Sequence, residues 1–181
     1  TWVMSYDYKF PENSALGKLG VQTTGLVVAN TQNKHGAPGI CTNSGIALWR
    51  LFRATGNTFY MDLLKDIAFV MPQYLSHPVR PIDKMKLGWM SERASTTDWL
   101  EGIGELMYGS TWAETSLMLS YIELPGVYIQ PDKSYVCDID NVEAQIIQNK
   151  SKSLTIIITN PTKTEEIVKV FTESSAPALK P

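Results

Sequence analysis

Between residues 43 and 75 apolar positions recur every three to four residues, the spacing of a helix with one buried face. Asn43 or Ser44 can cap a first helix whose stripe is Ala47, Leu48, Leu51 and Phe52, and Gly56 stands where a left-handed residue would end it. Asn57 can cap a second helix with Tyr60, Leu63, Leu64, Ile67, Met71, Tyr74 and Leu75 on one side. Pro72 lacks the amide hydrogen a helix needs, so this helix should kink or end there. The pattern predicts an αα-hairpin around a Thr-Gly-Asn turn.

A similar pattern returns further on. Asp98 with Glu101 reads as the start of a helix that carries Asp98, Glu101 and Glu105 on one face. Leu100, Ile103, Leu106 and Met107 fall on the other. Thr111 with Glu114 repeats the cap for a helix through Leu117, Leu119, Tyr121 and Ile122, which Pro125-Gly126 stops. The two hairpins begin 54 residues apart, from Ser44 to Asp98, as a repeated helix–turn–helix unit would.

After Gly126 the period changes to two. Val127–Gln130, Tyr135–Ile139, Val142–Ile147, Leu154–Thr159 and Ile167–Phe171 read as strands of an antiparallel sheet, half of a sandwich. Leu154, Ile156 and Ile158 alternate with Thr155, Ile157 and Thr159, which predicts one buried face and a second that is apolar at Ile157. Residues 1–43 support no firm helix, and Thr31–Thr42 reads as a polar loop. His77–Thr97 is a long loop with two prolines, too rich in Trp, Met and Arg for a disordered segment. The expected class is α+β: helical hairpins in residues 1–124 and a β-strand domain in 125–181.

Composition narrows the field. With 44% hydrophobic and 19% charged residues the chain is globular. Sixteen basic and 18 acidic residues leave a net charge of −2 with no basic block, which argues against nucleic acid or an anionic membrane as partner. No apolar run has the length of a membrane span. A start on Thr-Trp reads as a piece of a longer protein, whose remainder is then a partner. Cys41 and Cys137 lack metal-ligand spacing and read as ordinary buried thiols. With His35 and His77 the only histidines, a His-rich metal site is not expected. No GxSxG, P-loop, GxGxxG or CxxC pattern occurs, so no cofactor is implied.

Gly88–Glu123 holds the candidate chemistry: Trp89, Trp99 and Trp112 among Glu92, Asp98, Glu101, Glu105, Glu114 and Glu123. A flat ring covers the apolar face of a sugar, and a pair of carboxylates performs the proton work of glycosidic cleavage. Glu92 and Asp98 are the candidate acid and base. Trp89 and Trp99 would stack on substrate, while Arg93, Glu101 and His35 would line the site. Each has a plain alternative. Asp98, Glu101 and Glu114 are explained as helix caps, Glu92 as a surface ion pair with Arg93, and Trp49, Trp99 and Trp112 as packing.

Three passages carry a family resemblance: SGIALWRLFRATGNTFYMDLLKDIAFVMPQYLS, GWMSERASTTDWLEG and SLMLSYIELPGVYIQPD. Over roughly residues 40–145 they resemble the C-terminal part of bacterial six-hairpin, (α/α)6-toroid carbohydrate-active proteins. The resemblance implies glycan cleavage or binding, an appended β-domain, and a secreted, periplasmic or cell-surface location. Two hairpins rather than six imply an incomplete ring. The expected function is therefore a glycoside hydrolase fragment. The alternative is a non-catalytic glycan-binding or scaffold module.

Overall fold

The computed structural model describes residues 2–28, 36–37, 45–96, 102–107, 122–151 and 153–174. It is a mixed α+β chain. Two short strands, β1 (Trp2–Val3) and β2 (Val27–Val28), pair antiparallel near the N-terminus. Between them lies a one-turn helix, α1 (Ala15–Leu19), with Ser14 Oγ accepting from Gly17 N at 3.1 Å and Gly20 closing it at φ +59°.

The first expected hairpin is present as α2 (Gly45–Thr55) and α3 (Phe59–Val70). Gly56 sits at φ +71° and donates its amide to Phe52 O, the left-handed stop its position in the sequence predicts. Thr58 stands at the N-cap of the second helix without a side-chain cap bond, and Asn57 Oδ1, one residue earlier than the cap, accepts from Phe59 N at 3.1 Å. Pro72 ends α3 early: the chain tightens into a 3-10 turn over Met71–Tyr74. The stripe of α2 is rotated from the expected one. Trp49 and Phe52 are buried, while Leu51 is 43% exposed, because the β-strands described below cover the Trp49 side.

The expected second hairpin needs correction where it can be seen. Residues 97–101 and 108–121 lie outside the described residues, but Gly102–Glu105 forms a turn with Gly104 at φ +82°, and Leu106–Met107 is a strand, β4. It pairs antiparallel with β3 (Arg93–Ala94), in the register Arg93↔Met107 and Ala94↔Leu106. The helix predicted through Ile103, Leu106 and Met107 therefore does not run. Gly102 and Gly104 lower helix propensity within one turn, and the apolar pair at 106–107 serves equally well in a ladder.

Gly36 joins these pieces into one small sheet. It bridges Val28 on one side and Ala94 on the other, both antiparallel, giving the order β1–β2–Gly36–β3–β4. A Cβ at position 36 would stand 2.6 Å from Leu26 Cδ1, so the close approach suits glycine. The long 77–97 segment is ordered within this framework. Ser76 donates its amide to Trp89 O and accepts from Gly88 N, and its hydroxyl reaches Met85 O and Ile82 N. Ile82, Met85 and Met90 are thereby drawn into a core with Leu16, Leu26, Val70, Met71 and Tyr74.

The C-terminal strands fall close to their expected places: β5 (Val127–Gln130), β6 (Tyr135–Asp138), β7 (Glu143–Lys150), β8 (Ser153–Thr159) and β9 (Val170–Thr172). Their pairing differs from a purely antiparallel sheet. β5 pairs antiparallel with β6 but parallel with β9, in the register Val127↔Val170 to Ile129↔Thr172. β7 and β8 form a separate antiparallel hairpin with an irregularity at Ile147. The 159–170 connection returns the chain to the far edge of β5, which makes the last pair parallel. The expected buried face of β8 is only half-buried at Leu154 and Ile156, and Ile158 is 39% exposed.

A second core joins the helical hairpin to the β-strands. Trp49, Phe52, Met61 and Leu64 pack against Leu124, Tyr128, Cys137 and Ile139, from both sides of residue 124. Trp49 meets the Tyr128 ring edge-on at 4.8 Å, and Tyr128 stacks on Phe171 at 6.2 Å. Arg53 forks onto Glu173 with bonds of 2.8 and 2.7 Å, and Tyr128 donates its hydroxyl to the same carboxylate. Burial holds the Tyr128 phenol protonated well above its ordinary range, reinforced by Glu173. Burial likewise pushes the Cys137 thiol up to about 11, the behaviour of a structural cysteine.

Candidate functional site

Among the described residues, one stretch carries the chemistry expected from the sequence and another part of the surface carries a groove. The first is the ribbon Trp89–Ala94, which leads into β3. Met90, Ser91 and Ala94 are buried, Glu92 is exposed, and Arg93 is half-buried. Ser91 Oγ donates to Arg93 O at 2.8 Å, which stiffens the backbone that presents Glu92. Trp89 is half-buried against the first core, and the Lys86 ammonium lies 5.0 Å from its ring centroid. Gly88 at φ +79° makes the bend that brings Trp89 back to Ser76.

The small sheet determines which other segments meet this ribbon. Gly36 N donates to Ala94 O at 3.1 Å and Ala94 N to Gly36 O at 2.7 Å, so the backbone one residue past His35 lies beside β3. On the other side Ser95 N donates to Glu105 O at 3.0 Å, and Gly104 N donates to Ser95 O at 2.8 Å. The two ends of the connection bearing Asp98, Trp99 and Glu101 are thus tied to the end of β3. His35, Asp98, Trp99 and Glu101 themselves lie outside the described residues, as does Glu114. Glu105, expected on the polar face of a helix, instead lies in a turn and accepts from Ala15 N at 3.4 Å.

The second place was not singled out by the sequence. A groove of about 630 Å³ runs between the end of α3 and the β6–β7 turn. Phe69 and Ile167 are 60% and 96% exposed at its lip. Its floor and wall carry Gln22, Gln73, Asp140, Asn141 and Glu166. Gln73 is fixed by accepting from Gln22 N at 2.9 Å. The Asp140 carboxylate lies over Gly126, where an added Cβ would stand 2.1 Å from Oδ2. Burial raises its pKa, the nearby Glu166 carboxylate raises it further, and Lys169 only partly offsets them.

The one trace of this groove in the sequence is Asp140-Asn141 between two strand patterns, which is equally the signature of an ordinary turn. What makes it a groove wall is its placement opposite Phe69, 71 residues earlier. Among the described residues no cluster of His, Cys, Asp and Glu has metal-binding form. None of the described helices is long and apolar enough to cross a membrane. No family model, curated protein or solved structure matches the chain.

Proposed function

We propose that this chain is part of a carbohydrate-active protein, a glycoside hydrolase in which Glu92 and Asp98 act as the carboxylate pair. The observation that carries the reading is convergence: Gly36 and Glu105, distant in sequence, are both hydrogen-bonded to the β3 ribbon that presents Glu92 and Arg93. Gly36 and Gly104–Glu105 thereby flank the end of β3. Carboxylates beside aromatic rings and an arginine suit a sugar whose glycosidic oxygen is protonated by one acid while the second stabilises or attacks the anomeric carbon. On this reading the protein would act outside the cytoplasm, on a polysaccharide or oligosaccharide, with the remainder of a longer chain as its partner.

Glu92→Gln and Asp98→Asn, made singly in the intact protein, test this directly. The true acid should lose about 100-fold or more in turnover on the responsive glycan. Unchanged rates in both variants remove the pair from the mechanism.

A second reading, a glycan-binding or scaffold module, is favoured by Trp89, whose ring is half-buried with Lys86 on it rather than standing free. Retained glycan binding with no turnover in the intact protein would select it.

A further inference from the structure

We propose that the groove between α3 and the β6–β7 turn binds a segment of a neutral glycan, apart from the Glu92 ribbon. Three features of its lining point to that ligand. Phe69 offers an exposed ring on which the apolar face of a pyranose or furanose can rest, and Ile167 extends the same surface. Facing them are groups suited to hydroxyls. Among the described residues no hydrogen bond engages the side-chain amides of Gln22 and Asn141 or the Asp140 carboxylate, so each is available to a ligand. The size also fits: about 630 Å³ lies within the range of small-molecule sites and has room for more than one sugar ring.

Charge selects among ligands. Asp140 and Glu166 together disfavour a phosphate, a uronate or any other anion, while each accepts bonds from neutral hydroxyls. Lys169, the cation acting on Asp140, has its ammonium bonded to Ile122 O at 2.6 Å. Gly126 is the positioning residue. It alone leaves space for the Asp140 carboxylate, since a Cβ there would meet both Oδ2 and Val168 Cγ1.

The groove joins two parts of the chain that are firmly held. Gln73 and Phe69 belong to the α3 terminus, where Gln73 Nε2 donates to Phe69 O, and Tyr74 donates its hydroxyl to Gln22 O. On the other side Ile139 and Asp140 both donate their amides to Gly126 O. A preformed groove of this kind loses little conformational entropy on binding.

The experiment is an NMR titration of the full chain with neutral hexasaccharides of glucose, xylose, mannose and arabinose, alongside hexagalacturonate and a lysine-rich peptide. At least one neutral hexasaccharide should shift the Phe69, Asn141 and Ile167 resonances saturably. Phe69→Ala, at an exposed position, should weaken that binding about tenfold with an unchanged melting temperature. Gly126→Ala should weaken it similarly by displacing Asp140, and Asn141→Ala provides a further variant that leaves packing alone.

No response to any neutral hexasaccharide overturns the proposal. So does binding that survives Phe69→Ala and Asn141→Ala, or saturation by the uronate or the peptide alone. The outcome is separable from the hydrolase reading. Groove binding lost in Phe69→Ala while Glu92→Gln and Asp98→Asn keep full turnover would retain this site and reject that mechanism.

Discussion

The region that holds the first core and the β7–β8 hairpin invert the usual association between regular structure and burial. The first core takes Leu16, Val21, Leu26, Ile82, Met85 and Met90 largely from turns and loops around strands only two residues long, and four of these are at 0% exposure: Leu16, Leu26, Ile82 and Met90. The β7–β8 hairpin has the longest strands among the described residues, yet Ile147 and Ile157 remain 61% and 47% exposed. Ladder hydrogen bonds give the hairpin its shape, but only Ala144, Leu154 and Ile156 lean on a small third core of Val127, Ile129 and Val142. Burial depends on how many separate segments converge, and a lone hairpin offers two.

Large-to-small substitutions should expose the shallow burial of the hairpin against a packed core. The largest effect is expected at Phe52, 1% exposed between the helical hairpin and Tyr128. Phe52→Ala should cost about 3–5 kcal/mol in urea unfolding, because the rings around it cannot collapse onto the space left. Ile156→Ala removes half as many carbon atoms, from a half-buried site on β8, and should cost about 1 kcal/mol. Equal losses at the two positions would show that the hairpin is as tightly packed as the helical core.

The smallest effect separates the regions by pH. Burial would raise the Asp7 pKa, but hydrogen bonds from Thr24 N, Thr23 N and Thr24 Oγ1, with Lys9 nearby, bring it below the ordinary carboxylate value. A depressed folded-state pKa stabilises the protein above the unfolded value, and that stability is lost as the pH falls through the folded one. Asp7→Asn should thus lower stability by under about 1 kcal/mol near neutrality, limited by solvent screening of an exposed carboxylate. The variant and parent curves should meet on acidification below pH of about 4. A gap that persists in strong acid would mean that the carboxylate's charge is not the cause.

The residues show which features could be read locally. Gly56, Asn57 and Pro72 act through their own backbone chemistry, so the α2–α3 hairpin and its early end followed from position alone. The five C-terminal strands followed from alternation, which a pleated backbone imposes on any half-covered sheet. By contrast, Gly102-Ile103-Gly104 lay inside an apparently helical stripe, and the period of three and four outweighed two glycines that in fact form a turn. The Leu106–Met107 pair suits a strand as well as a helix, and only the presence of Arg93–Ala94 beside it decides between them.

By itself, then, the sequence determined the helical hairpin, the change of period after Gly126, the approximate strand positions and the gathering of acids and rings in one stretch. These depend on interactions between residues a few positions apart. Tertiary structure alone decided that β9 runs parallel to β5, that Gly36 stitches β2 to β3, that Trp89 lies half-buried under Lys86, and that Asp140 faces Phe69 across a groove. Each of those needs a partner tens of residues away, and the choice of that partner is made by competition for buried surface over the whole chain, which no local period records.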